Sequence, residues 1–312
     1  MNKTPIIIDV DTGIDDAISL VVALQSDKLD IRGITTVAGN QTIEKTTRNT
    51  LDIVEYFGRD DILVAKGYSK PLVREQLIAA YAHGESGLGT AKLPMAKKQP
   101  HELDAVSFMK KVLEESNEKI TLVPTGPLTN IAILLLSYPH IKEKIERIVL
   151  MGGGAYEGNS TTTAEFNIFA DPEAASVVFS SGVKIVMCGL DVTMKAVVTY
   201  DDIETIRATG TKAGEFCGEA FKFYYDMYKK GSRIDGCAVH DAVTMAYLIK
   251  PEIITTKPAK VSIDIDGKHS YACTAADFRP WRDRSQDNAL VCLDIDREAF
   301  ANIIIEACKN YK

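Results

Sequence analysis

Apolar residues recur along this chain in two alternating rhythms. Short runs rich in β-branched residues, at 5–10, 31–37, 62–65, 120–123, 148–151 and 184–187, read as strands. Between them, apolar positions three and four apart predict helices over 15–25, 43–57, 103–115, 128–136 and 171–180. This alternation predicts βαβ units and an α/β fold: an open, mostly parallel central sheet flanked by helices. After Tyr200 the rhythm changes. Helices are predicted over 201–208, 212–230 and 240–248, then strands near 261–265 and 289–295, and a last helix over 297–309. The middle group reads as a helical excursion over the carboxyl ends of the strands. The stretch 66–99 lacks periodicity, and a loop that long is often a functional lid. No Gly/Ser/Pro-rich linker or internal repeat divides the chain, so 1–312 is expected to form one domain.

Composition narrows the class of protein. With 312 residues, 46% hydrophobic and 25% charged, the chain has ordinary globular composition and length for a sizeable core. A net charge of −7 argues against a nucleic-acid or anionic-membrane partner. The N-terminal apolar run is too short for a signal peptide, and no run approaches a membrane span. Six well-separated cysteines without a CxxC pair predict free thiols in a reducing cytosol rather than a zinc site or disulfide framework.

The chemistry concentrates at DVDTGIDDA, residues 9–17, where Asp9, Asp11, Asp15 and Asp16 crowd a strand–Gly turn–helix junction. Two such charges about 4 Å apart repel by roughly 4 kcal/mol at an effective dielectric near 20. A divalent cation or a shared proton would resolve the repulsion. Hard carboxylate oxygens select Ca²⁺ or Mg²⁺. The helix dipole accounts for one of the acids as an N-terminal cap, not for all four. Other strand ends are also turn-rich: VAGN with Asn40, VPTG with Thr125, MGGG at 151–154 and CGLD at 188–191. Ligands of open parallel sheets bind beyond such ends, so Asp11, Asn40, Thr125 and the 152–154 glycines are expected to converge. The plain alternative for each of the latter is a turn former.

Three further segments carry candidate chemistry. His240 and Asp241 in VHDAV offer an acid near neutrality beside a metal-type carboxylate, though from this segment alone a helix cap with a chance histidine is the better reading. Glu165 and Asn167, two apart in GNSTTTAEFNIFADPEAA, are placed to share a face and suit a polyhydroxylated ligand; the alternative for Glu165 is an ion pair with a nearby Lys or Arg. Tyr224 and Tyr228 lie four apart on one helix face, where they would stack on a planar group or simply pack in the core.

Taken in order, DVDTGIDDA, VAGN with Asn49, HGESGLG, PTGPLTNIA, MGGG, GNSTTTAEFNIFADPEAA, GLDVT and VHD resemble the inosine–uridine nucleoside hydrolase family over residues 6–300. Thr12 and Ala242 stand where the family usually has proline, and YACTAADFRPW (271–281) departs from its glycine-containing pattern. The resemblance implies a Rossmann-like nucleoside hydrolase fold. It implies Ca²⁺ held by Asp11, Asp16, the Thr125 carbonyl and Asp241, with Asp11 also the general base towards the attacking water. By the same match Asp15 holds the ribose 2′-hydroxyl, and Asn159, Glu165 and Asn167 hold the 3′ and 5′ side. Asn40 lies near metal and sugar, and Asp241 near the sugar too. His240 is the implied proton donor to the leaving base, with His83, Tyr224 and Tyr228 around it. The implied activity is hydrolysis of purine and pyrimidine ribonucleosides for salvage or catabolism, in a cytoplasmic homodimer or homotetramer. Asp9 is expected to be a supporting residue.

Two rivals are set against this. In a haloacid-dehalogenase-like phosphatase Asp9 would be the nucleophile and Asp11 the acid/base, but the DD pair and the EFN motif go unexplained. A non-catalytic nucleoside or sugar binder would keep Glu165 and Asn167 without needing the water-activating acid.

Overall fold

The computed structural model describes residues 3–231 and 234–311. Its strands are β1 (Thr4–Val10), β2 (Leu29–Thr36), β3 (Val64–Lys66), β4 (Ile120–Pro124), β5 (Ile145–Met151), β6 (Ile185–Cys188), β7 (Val197–Val198), β8 (Cys237–Ala238), β9 (Ile254–Ile263), β10 (Thr274–Asp277) and β11 (Ala289–Ile295). The α-helices are α1 (Ile14–Gln25), α2 (Ile43–Tyr56), α3 (Ala80–His83), α4 (Ala105–Glu115), α5 (Thr129–Ser137) and α6 (Phe166–Ala170). They continue as α7 (Pro172–Phe179), α8 (Leu190–Thr193), α9 (Tyr200–Arg207), α10 (Lys212–Gly231), α11 (Ala242–Ile249) and α12 (Arg297–Lys309).

Nine strands form one sheet in the order β3-β2-β1-β4-β5-β6-β11-β9-β10. From β3 through β11 every neighbouring pair is parallel; β9 runs antiparallel to β11 and to β10. The first strand thus lies inside the sheet, third from the β3 edge, and the winding direction reverses between β1 and β4, the topological switch point of a doubly wound sheet. Central strands buried on both faces need apolar residues throughout, which is why β1 reads Ile6-Ile7-Ile8 without alternation. Ile6 and Ile8 enter the core on the face of α1, α10, α11 and α12, and Ile7 the core under α4, α5 and α7.

The predicted elements are present, with boundaries moved by a few residues. The strand expected at 261–265 is the end of the longer β9, which carries Pro258 at its centre opposite Leu290 of β11. A proline that cannot donate to a ladder disguises a strand in sequence. β10, the β7–β8 ribbon and the single-turn helices α3, α6 and α8 were not foreseen; each is too short to show a period. In the divergent 271–281 stretch, Ala272 is the one non-glycine among the described residues with positive φ (64°). An alanine there bears a left-handed turn that glycine takes without steric cost, so the departure is local.

The 66–99 stretch crosses the carboxyl end of the sheet as a strap with α3 its one α-helical turn. Leu72 N–H donates to Asp171 at 3.0 Å, and Arg74 pairs with Glu173 at 2.7 Å while lying over the Tyr271 ring. Further on, Ala79 N–H donates to the Asn40 carbonyl at 3.1 Å, which brings His83 against the first turn of α1. Among the described residues no helix is long and apolar enough to cross a membrane.

Candidate active site

Asp11 follows β1 and Thr125 follows β4, so both leave the sheet at the switch point. Asp15 and Asp16 open α1, Asn40 lies between β2 and α2, and Asp241 immediately precedes α11. All are buried. Carboxylate oxygens of Asp15, Asp16 and Asp241 lie within 4.8 Å of one another. Asp11, expected in this cluster, is not one of the three.

The four acids are not equivalent. Asp16 is satisfied: Gly13 N–H (2.9 Å) and Asn40 Nδ2 (3.2 Å) donate to Oδ2, and the Thr125 hydroxyl (2.7 Å) to Oδ1. Asp11 Oδ2 accepts the Asn40 N–H at 2.7 Å, but its buried Oδ1 has no hydrogen-bond partner among the described residues. Asp15 Oδ1 is likewise buried without a partner. Burial, then the charge of Asp16, pushes Asp15 up to about 7. Burial followed by the neighbouring carboxylates holds Asp11 and Asp241 well above the ordinary range. Orphaned carboxylate oxygens beside a three-carboxylate cluster are the donor set of a hard divalent cation, and they fit one.

Asp241 occupies the position before α11, yet its side chain makes no capping hydrogen bond. The helix-cap reading of VHD therefore falls. Asp9 has a different task. Thr35 Oγ1 (2.6 Å) and Asn130 Nδ2 (2.7 Å) both donate to its Oδ1, and its carbonyl accepts the Thr125 N–H at 2.9 Å. Burial raises it to about 6. It braces the strand ends. At residue 12, the Thr12 hydroxyl finds a partner in Thr50 Oγ1 at 2.6 Å, so the polar side chain is accommodated.

A cavity of about 400 Å³ opens above this floor. Every predicted site residue except Asp11 and Asp16 lines it, and these two are buried behind it. On one side Glu165 and Asn167 do not share a strand face as their spacing suggested. Glu165 caps α6, its carboxylate taking N–H groups of Asn167 (2.9 Å), Ile168 (3.2 Å) and Gly153 (2.9 Å), and burial raises it to about 7. Its partners are main-chain N–H groups rather than the Lys or Arg of the alternative reading. Asn167 Nδ2 donates to the Thr125 carbonyl at 2.7 Å, and Asn159 Oδ1 accepts the Phe166 N–H at 2.9 Å.

The opposite wall is aromatic. Tyr224 and Tyr228 meet edge to face, centroids 5.1 Å apart, and Tyr224 lies 6.1 Å from the His83 ring. His83 Nδ1 accepts the Ile14 N–H at 3.1 Å, so a neutral ring carries its proton on Nε2. Its 3.8 Å approach to Asp15 is no ion pair near neutrality, because burial, aided by His240, lowers it to about 3. Burial alone lowers His240 to about 4. His240 Nε2 lies 2.9 Å from the Tyr228 hydroxyl and its Nδ1 2.8 Å from Thr193 Oγ1. Among the described residues no lysine or arginine lines the cavity. The sequence pattern does not single out Thr193, although it ends GLDVT, or Tyr81, Met194 and Met227, which line the cavity and carry no motif.

An acidic floor at a switch point, with polar groups on one wall and aromatic rings on the other, suits an enzyme acting on a sugar joined to a planar group. The chain belongs to the inosine-uridine preferring nucleoside hydrolase family, whose model matches residues 6–302. It is 45% identical over 308 residues to the pyrimidine-specific ribonucleoside hydrolase RihA of Escherichia coli, covering 98% of this chain and 99% of the relative. Among solved structures, it resembles a purine-preferring ribonucleoside hydrolase from Gardnerella vaginalis (32% identity, TM-score 0.92, 98% of each chain). A plant nucleoside hydrolase is similar too (31% identity, TM-score 0.93, 99% of this chain and 100% of that one). The chain is thus a ribonucleoside hydrolase.

Proposed function

We propose that this enzyme cleaves the N-glycosidic bond of both purine and pyrimidine ribonucleosides, of the inosine and uridine type, with Ca²⁺ held by Asp11, Asp16, the Thr125 carbonyl and Asp241. The observation that carries this reading is the buried Asp15–Asp16–Asp241 cluster, with orphaned oxygens on Asp11 and Asp15, behind a cavity free of cationic side chains among the described residues. When bound, the cation supplies the positive charge these carboxylates need and lowers the pKa of a neighbouring water.

The chain's own residues do the rest. Asp11 accepts a proton from the attacking water at its free Oδ1. Asp15 holds the ribose 2′-hydroxyl. Asn159, Glu165 and Asn167 hold the 3′ and 5′ side, with Asn40 at the junction of metal and sugar. Asp241 also bears on the sugar. These contacts favour an oxocarbenium-like transition state. His240 serves the departing base, and Tyr224, Tyr228 and His83 enclose it. The relatives are named for opposite base preferences; the wall of Tyr224, Tyr228 and His83, with no tryptophan among the described residues lining the cavity, favours acceptance of both. One domain is supported by the nine-stranded sheet, which joins β1 near one end of the chain to β11 near the other. A cytoplasmic homodimer or homotetramer completes the reading, and the six free cysteines suit that compartment.

The test is base release from a panel of ribonucleosides and deoxyribonucleosides, followed by chromatography. Ribonucleosides of both base classes are expected to turn over and deoxyribonucleosides poorly, with Asp11→Ala folded but inactive. Equal turnover of deoxyribonucleosides, or an active Asp11→Ala, contradicts the mechanism. Phosphate release from an aryl phosphate without base release would favour the phosphatase, against which Asp9 already speaks by being braced away from the cavity. Binding without turnover would favour the non-catalytic binder.

A further inference from the structure

Thr193 closes α8 and is fully buried. Among the described residues its hydroxyl has one partner, His240 Nδ1, at 2.8 Å. On the other side of the imidazole, Nε2 meets the Tyr228 hydroxyl at 2.9 Å. Three polar groups therefore stand in line from the core to the cavity wall, and the hydrogens among them can be arranged in two ways.

In one arrangement Tyr228 donates to Nε2 and Nδ1–H donates to Thr193. The Thr193 hydrogen is then left without an acceptor in a site with no solvent, at the cost of a buried unsatisfied donor. In the other, Thr193 donates to Nδ1, Nε2–H donates to the Tyr228 oxygen, and the Tyr228 hydrogen points away from the histidine. Each arrangement leaves one hydroxyl hydrogen over; in the second it belongs to Tyr228, which lines the cavity, and not to Thr193, which is fully buried.

We propose that Thr193 is a positioning residue for departure of the base: it fixes His240 as the Nε2–H tautomer and so leaves the Tyr228 hydroxyl hydrogen free for the departing ring. This rests on the nucleoside hydrolase reading of the cavity. As the glycosidic bond breaks, its electron pair goes to the ring nitrogen. The Tyr228 hydrogen bond shares that developing charge, and the His240 Nε2–H in turn stabilises the tyrosine oxygen. No proton needs to leave His240, so the neutral ring suffices. Reversing the tautomer would turn the Tyr228 hydrogen inward, where it contributes nothing to the leaving group.

The experiment compares wild type, Thr193→Val and Thr193→Ser on inosine and on p-nitrophenyl ribofuranoside, whose leaving group departs without help. Val keeps the shape of Thr and removes the hydroxyl; Ser restores it. Thr193→Val is expected to lose about 10- to 100-fold in kcat on inosine, with KM little moved. On the p-nitrophenyl substrate it should match wild type, and Thr193→Ser should recover inosine turnover. Equal losses on both substrates, or unchanged inosine turnover in Thr193→Val, would overturn the proposal while leaving the hydrolase reading intact. A wild type inactive on both substrates would overturn that reading, and this one with it.

Discussion

A Cβ built on Gly126 would stand 2.8 Å from the Asp11 carboxyl carbon. A Cβ on Gly39, after β2, would collide with the same carboxylate. Neither glycine has a positive φ, so space rather than backbone freedom demands it. Gly126→Ala is therefore expected to fold and yet displace Asp11. A shift of about 1 Å in such a group costs on the order of 100-fold in rate. Steady-state kinetics beside circular dichroism checks this; wild-type turnover in Gly126→Ala would mean that Asp11 tolerates displacement.

Asp9 offers a separation of fold from chemistry. Its pKa is raised, chiefly by burial, from 3.8 to about 6. A carboxyl with a raised folded-state pKa contributes stability fully below about 4 and loses it as pH rises through about 6. Asp9→Asn cannot ionise. In cation-free protein it is expected to compare more favourably with wild type at pH 8 than at pH 4, by thermal unfolding. It should also retain substantial base-releasing activity, whereas the phosphatase reading requires it to be dead.

Cation binding should depend on pH in a definite sense. Asp15, near 7, and Asp11 and Asp241, which burial and neighbouring carboxylates hold well above the ordinary carboxylate range, favour protons that a cation must displace at low pH. The rise in Tm on adding calcium to chelator-treated protein is expected to be larger at pH 8 than at pH 5. His83 and His240, lowered to about 3 and 4, add stability above about 6.5 that fades as pH falls through those values. Their effect cancels when samples with and without calcium are compared at one pH. A calcium shift independent of pH would remove these carboxylates from the site.

Asp171 joins α7 to the strap. Its carboxylate takes Ala174 N–H (3.1 Å), Leu72 N–H (3.0 Å) and the Thr129 hydroxyl (2.6 Å). Asp171→Ala is expected to lower stability by about 2 kcal/mol, the upper range for a lost cap. It should raise KM more than it lowers kcat, because it loosens the segment carrying His83. Denaturant titration and kinetics on one preparation test both; an unchanged KM would show that the strap is held elsewhere.

Much of this site could be read in the sequence, because the acids lie where an apolar strand breaks into a Gly turn and then a helix. Asp11, Asp15 and Asp16 needed no tertiary information to be suspected. Glu165 and Asn167 were found, but the shared face their spacing suggested is not how a one-turn helix presents them; such a helix leaves no periodic trace, and an N-cap glutamate looks like any other. Asp241 was ambiguous because capping and metal binding favour the same residue before a helix; only its missing cap bond distinguishes them. Thr193 was invisible, for its meaning comes from a histidine far along the chain. The β9 strand was shortened by Pro258, and β10 is too brief and alanine-rich to announce itself.

The acids and amides at the floor stand on strand ends and on helix starts seated in the core, while the aromatic wall stands on α10 and the strap. Evolution can therefore edit the two halves separately. Residues on α10 and α3 are free to drift towards one heterocycle or another, whereas a change at Asp11 or Thr125 must be answered by the whole sheet. Relatives of this chain that bear contrary base preferences on one backbone are what such a division of labour would produce.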